Sequence, residues 1–147
     1  FLFLTPDDPT LILKAAEQRG IPSKEISIQN AKREEMPKLL AQAEVGLFFI
    51  HPTFSKTASS PTKLGELLAC GIPIICNSGV GDVDEVVTPG IGIVLSKMNE
   101  VNYKIASDTF FATTYSAETI RKQAEKYYDL KDGIKRYAEI YAKLIGG

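Results

Sequence analysis

The stretch Ser59-Ser60-Pro61-Thr62-Lys63-Leu64-Gly65-Glu66 holds the residue types and spacing best suited to chemistry on an anion. Ser60 followed by Pro61 reads as a helix N-cap and first helical position, which leaves the amide groups of the first turn pointing outward. Backbone donors and the helix dipole at such a start can hold a diphosphate. Lys63 adds a mobile positive charge one turn in, and Glu66, three residues later, lies near the same face. A carboxylate one turn below an anion site can accept from the two hydroxyls of a ribose. Gly65 costs about 1 kcal/mol of helix propensity relative to Ala, which points to a close-packed neighbour. The same residues also fit a plainer description, a capped amphipathic helix with a surface Lys63–Glu66 pair.

Other constellations are weaker. Asn77-Ser78-Gly79-Val80-Gly81-Asp82-Val83-Asp84 follows an apolar run and precedes helical residues, as a dinucleotide fingerprint would, but Asp84 stands at the third glycine position. Gly79 and Gly81 are read equally as a close backbone approach to a phosphate or sugar and as a plain turn. Asp7 and Asp8 invite comparison with a phospho-acceptor domain, yet the run Val45–Ile50 ends in His51-Pro52-Thr53 where the acceptor Asp would stand. The pair is therefore expected to open the next helix. His51, the single histidine, has no acidic partner nearby in sequence and reads as a loop residue. Cys70 and Cys76 lie inside apolar runs without a CxxC or Cys/His cluster, so buried thiols are expected and no metal site is.

The elements that must position these residues alternate regularly. Strand-like runs at 1–4, 25–29, 45–50, 72–76 and 91–95 are separated by helical patterns at 10–19, 33–43, 62–70 and 83–87. Gly20 and Pro22, Gly71 and Pro73, and Pro89-Gly90 fall at the breaks. The pattern predicts an α/β fold, a Rossmann-like three-layer α/β/α arrangement around a mainly parallel sheet of about five strands. Beyond Asn99 the chain reads as three helices, over 101–111, 117–128 and 131–145, in which Tyr127, Ile134, Tyr137, Ile140, Tyr141 and Leu144 are expected to pack. A single domain over 1–147 is expected, with its core over 1–98. Ligands of open parallel sheets bind outside the carboxyl ends of the strands, which directs attention to the loops after Leu4, Gln29, Ile50, Cys76 and Leu95.

Composition narrows the partners. With 17 Lys and Arg against 18 Asp and Glu, the net charge of -1 gives no field to gather nucleic acid or an anionic membrane. Basic residues recur in the last third, but acids are interleaved with them, as on a solvated helix face. No run reaches membrane-spanning length, and the opening FLFLT lacks the basic flank of a signal peptide. A cytoplasmic location is expected, with any membrane association coming through parts outside this sequence. The start on Phe1, directly in a strand-like run and without an initiator Met, reads as a cut from something longer.

The stretch Lys63-Leu64-Gly65-Glu66-Leu67-Leu68-Ala69-Cys70-Gly71-Ile72-Pro73 resembles the retaining glycosyltransferases of GT-B fold, in the group 1 or family four type. The similarity runs over nearly the whole chain, through the FLFLTPDDP turn, Ala43-Glu44-Val45-Gly46, Gly79-Val80-Gly81-Asp82 and the Tyr-rich closing helix. The resemblance implies the C-terminal, nucleotide-sugar-binding domain of such an enzyme, with the N-terminal acceptor domain absent. It implies that the Thr62-Lys63 helix start seats the diphosphate, that Glu66 binds the donor ribose, and that Asn30 and Ala31, with Lys32, lie beside the nucleobase; Ser60, Gly79 and Gly81 complete the expected nucleotide-sugar-binding residues. Many members carry a second Glu eight residues before the ribose-binding one; here that position is Ala58. The family's phosphate-binding Arg and Lys fall upstream of Phe1. The parent enzyme is thus expected to transfer a hexosyl group from a UDP- or GDP-type sugar with retention, without cofactor or required metal, and this fragment is expected to be inactive alone. A noncatalytic nucleotide-binding or interaction domain, or half of a sugar-nucleotide epimerase, are the alternative readings.

Overall fold

Strands of three or four residues, joined by helices, run through a computed structural model of the chain that describes residues 1–145. The order is β1 (Leu2–Leu4), α1 (Thr10–Glu17), β2 (Ser27–Gln29), α2 (Met36–Leu40), β3 (Gly46–Phe48), α3 (Phe54–Thr57), α4 (Thr62–Ala69), β4 (Ile74–Asn77), α5 (Val83–Val86), β5 (Gly92–Leu95), α6 (Glu100–Ala112), α7 (Ala117–Tyr128) and α8 (Leu130–Ile145). The chain divides into two compact units, Phe1–Ala43 and Glu44–Gly147.

In the first unit β1 and β2 pair in parallel, Leu2 opposite Ser27 and Leu4 opposite Gln29. Of the expected acidic pair only Asp8, just before the N-cap residue Pro9, serves the start of α1: its Oδ1 accepts from the Thr10 hydroxyl at 2.7 Å and the Thr10 amide at 2.9 Å, bonds that hold its carboxyl below the usual range, whereas Asp7 accepts from the Thr5 hydroxyl at 2.8 Å. Ala16 is the one apolar residue of this unit that is fully buried among the described residues. An apolar hollow of about 450 Å³ lies between α1 and β1, lined by Phe1, Phe3, Leu11, Ile12, Ala16 and Arg19.

The second unit holds a parallel sheet in the order β3-β4-β5, with Gly46 opposite Ile74 and Ile74 opposite Gly92. Central β4 is buried at every position, in keeping with a continuous apolar run covered on both faces. On one side α4 contributes Leu64, Leu67 and Leu68 to the core, and α7 packs against α4 with Ile120 and Ala124 buried. Elsewhere Ala106 of α6 joins Ile75 and Leu95. The side chains of Asn99 and Ser116 cap α6 and α7, accepting from the amides of Asn102 and Thr119.

Two expectations need correction. The five strands form a two-stranded and a three-stranded sheet, not one sheet of five. Apolar patterning marks which residues avoid water, not which backbones pair: in the run Val45–Ile50 only Gly46–Phe48 joins the ladder. The stripe Ile134, Tyr137, Ile140, Tyr141 and Leu144 shares a face of α8, yet every one of these residues is exposed. Periodicity fixes a common face and says nothing of what covers it.

Two devices join the loops at the carboxyl ends of β3 and β4. Asn77, the last residue of β4 and a buried polar residue, donates through Nδ2 to the Ile50 carbonyl and accepts at Oδ1 from the Ile50 amide, both at 2.8 Å. Its amide thus stands in for a strand partner just where β3 stops pairing. Further along, the Gly81 amide donates to the Lys56 carbonyl at 2.9 Å, with φ at 49°. A Cβ at Gly81 would lie 2.7 Å from the Ser59 carbonyl oxygen and 2.9 Å from Ser60 Cα, so only glycine lets these backbones meet.

Chemical unfolding in urea tests this frame. Leu68→Ala, at a fully buried position, is expected to cost about 2–5 kcal/mol, while Val101→Ala at an exposed one changes stability by no more than about 0.5 kcal/mol. By the same measurement Gly81→Ala is expected to cost about 1–3 kcal/mol through its left-handed φ and the backbone clash.

Candidate functional site

The start of α4 is set by Pro61, which is buried and extended, with φ at -70° and ψ at 119°. Its carbonyl accepts from the Leu64 amide at 3.0 Å and closes the first turn. Pro61 therefore occupies the N-cap position that the sequence assigned to Ser60, and Thr62 is the first helical residue. The shift by one residue has a simple cause: proline's fixed φ suits the N-cap as well as the first turn, and its ψ here is that of a residue outside the helix. No side chain caps this end. The amides of Thr62 and Lys63, as first-turn donors, have no intrahelical acceptor.

Burial of Leu64, Leu67 and Leu68 turns Thr62, Lys63 and Glu66 outward, and all three are exposed. Lys63 and Glu66 do not pair with each other; among the described residues the ion pairs are Lys104–Asp108 and Lys122–Glu118. The surface-pair description of this helix therefore does not hold. A free cation and two free amides sit at one end, with a free carboxylate one turn on, an arrangement able to bind an anion attached to a hydroxyl-bearing group.

The loop after β4 meets this helix start. Gly79 donates its amide to Asp84 Oδ2 at 3.0 Å, so the residue that breaks the dinucleotide pattern serves to close the loop. Gly81 likewise spends its amide on Lys56. Both glycines shape the loop with their own donors turned inward, and Gly81 brings it against Ser59 and Ser60.

Behind both segments stands Tyr128 at the end of α7. Its hydroxyl donates to Asp82 Oδ2 at 2.8 Å, and its ring covers Gly65, where a Cβ would sit 3.3 Å from the ring. That contact supplies the close-packing reason for a glycine inside α4. Burial above all, and then the bond to Asp82, push the Tyr128 phenol well above its ordinary range, with the Ser60 hydroxyl pulling the other way. Sequence reasoning missed Tyr128, Asp82, Lys56 and Asn77 as contributors. Asn77 alone left a signal, a polar residue ending an apolar run.

The remaining candidates lie on other segments of the chain. Asn30 and Ala31 follow β2 in the first unit, where Asn30 is exposed and Ala31 half-buried. His51 is exposed on the loop held by Asn77, and Ala58 is exposed at the end of α3, a short helix the sequence did not reveal. Cys76 is buried and its thiol is pushed up to about 12, by burial and then by Asp84; Cys70, half-buried, is raised by burial and by Glu66. Among the described residues no group of three or more His, Cys, Asp or Glu side chains is placed to hold a metal, and no helix is long and apolar enough to cross a membrane.

Comparison with known proteins bears on this geometry. No curated protein matches the chain. Among solved structures the chain is similar to sucrose-phosphate synthase from Thermosynechococcus elongatus, with 15% identity and a TM-score of 0.80 over 99% of this chain and 38% of that one. It is similar to AviGT4, a glycosyltransferase involved in avilamycin A biosynthesis, with 20% identity and a TM-score of 0.75 over 99% of this chain and 42% of that one. It is also similar to HepE of Anabaena, solved in complex with UDP, with 17% identity and a TM-score of 0.67 over 91% of this chain and 36% of that one. The chain spans about two-fifths of the length of these structures, and the likeness shows the fold of a GT-B C-terminal domain. A family model for the C-terminal domain of glucosyltransferase 3-like proteins matches residues 24–138, a span that contains every candidate residue from Asn30 to Gly81. The chain belongs to this family, the glucosyltransferase 3-like C-terminal domain.

Proposed function

We propose that the chain is the donor-binding half of a retaining glycosyltransferase that moves a hexosyl group from a nucleotide sugar, in the cytoplasm and without a required metal. The observation that carries this reading is the open start of α4, where the unpaired Lys63 and Glu66 flank uncapped amides inside the region that matches the family. In this reading the amides of Thr62 and Lys63, with the Lys63 ammonium, hold the diphosphate. Glu66 accepts from the ribose hydroxyls one turn along. Ser60, Gly79 and Gly81 shape the wall beside the phosphates. The description of the family as glucosyltransferase 3-like favours a glucosyl donor, and the UDP bound to HepE makes UDP the first ligand to try. Ala58, where many related enzymes carry a Glu, directs the recognition of the sugar to other groups. Acceptor binding and transfer belong to a second domain of the parent enzyme, and the fragment alone is inactive.

Titration of the chain with UDP, GDP and ADP, followed through amide chemical shifts, tests the donor site. Shifts at Thr62, Lys63 and Glu66 are expected at millimolar ligand; no response there removes the proposal. Glu66→Ala is expected to weaken UDP about tenfold, the worth of a hydrogen bond to a charged group. The 2′,3′-dideoxy analogue should bind both forms alike, and equal losses for the two ligands would take the ribose role away from Glu66.

A further inference from the structure

Tyr128 is 46 positions from its hydrogen-bond partner Asp82, and together they connect the segments that build the start of α4. On one side, the ring rests on Gly65, within α4 itself. On the other, the hydroxyl is bonded to Asp82, which follows Gly81 and is the N-cap residue of α5. Gln123, on the same helix as Tyr128, donates through Nε2 to the Val86 carbonyl at 2.8 Å, so α7 grips the short helix α5 at both ends. Gly81 in turn lies against the backbone of Ser59 and Ser60, just ahead of the uncapped amides. Moving Asp82 would therefore move Gly81, and with it the strand of chain that leads into Thr62.

The bond is one the loop depends on. Asp82 Oδ1 is buried without a hydrogen-bond partner among the described residues, so the Tyr128 hydroxyl at Oδ2 is the main compensation for burying this carboxylate. A tyrosine phenol is protonated, and hence a donor, throughout the neutral range, and the upward shift here carries that donor further into alkaline pH.

We propose that Tyr128 is a positioning residue for the phosphate end of the donor site: through Asp82 it holds the Gly79–Asp82 loop against Ser59–Ser60, fixing in advance the geometry in which the α4 amides meet a diphosphate. This rests on the donor-site reading above. Tyr128 touches no ligand; it lowers the ordering cost of binding by keeping two loops in one arrangement.

Tyr128→Phe keeps the ring on Gly65 and removes only the hydroxyl. Hydrogen exchange at the Gly81 amide, read without ligand, is expected to quicken about tenfold as the bond to Lys56 opens more often. Affinity for UDP is expected to fall about five- to tenfold, whereas affinity for uridine, which lacks phosphates, stays as it was. Asp82→Ala, which removes the acceptor instead, should show the same pattern, and combining the two should add nothing further. Unchanged Gly81 exchange and UDP affinity in both variants, with the unmodified chain binding UDP, overturns the role of Tyr128 alone. Equal weakening of UDP and uridine also overturns it, since general loosening of the fold would do the same. Failure of the unmodified chain to bind any nucleoside diphosphate overturns the donor-site reading, and this role with it.

Discussion

Burial of Leu64, Leu67 and Leu68 leaves α4 a single allowed rotation. Three apolar side chains of one short helix, two of them with no exposed surface, cannot be turned toward water without losing several kcal/mol, on the order of 2 kcal/mol each. Everything chemical about the helix follows from that constraint. Lys63 and Glu66, interleaved with the leucines, have to face out, and they face out on the same side because they are three residues apart. The core thus selects which charges are available, and the charges themselves contribute little to holding the helix in place.

A fixed helix is of use only if the chain leading into it is fixed as well. Here that is done with polar groups and glycine, not with more apolar burial. Asn77 completes the hydrogen bonding of Ile50 where the sheet has run out of strand. Gly81 allows a backbone-to-backbone approach that any side chain would block. These are contacts of low area and high geometric demand, suited to loops that must sit in one place while staying near the surface. They also account for the inward direction of the Gly79 and Gly81 amides: the donors that hold the loop are the same ones a glycine-rich turn otherwise presents to a ligand.

Much of this was legible in the sequence. The alternation of short apolar runs with helical periods located all five strands and nearly every helix, because local patterning decides those elements. The segment around Lys63 and Glu66 stood out for the same reason, since helix start, charge spacing and the apolar face are all local. What could not be read depends on partners distant in sequence. Tyr128 meets Asp82 across a helix packing, Asn77 meets Ile50 across a sheet, and the ladder divides between β1–β2 and β3–β4–β5 according to backbone pairing that composition does not encode. Ser60 fell on the wrong side of a boundary for a different reason: proline is acceptable on either side of a helix start, and its ψ angle, which distinguishes them, is invisible in the sequence.

The uncapped start of α4 also bears on stability. Asn99 and Ser116 close the starts of α6 and α7 with their own side chains, a device worth about 1 kcal/mol per helix. At Pro61 that contribution is missing from the folded chain. An anion arriving there supplies from outside what a serine supplies elsewhere from within, so occupancy of the site and resistance to unfolding are coupled by construction. A substitution that installed a good cap would make the empty protein sturdier and would do so by competing for the very donors an anion needs.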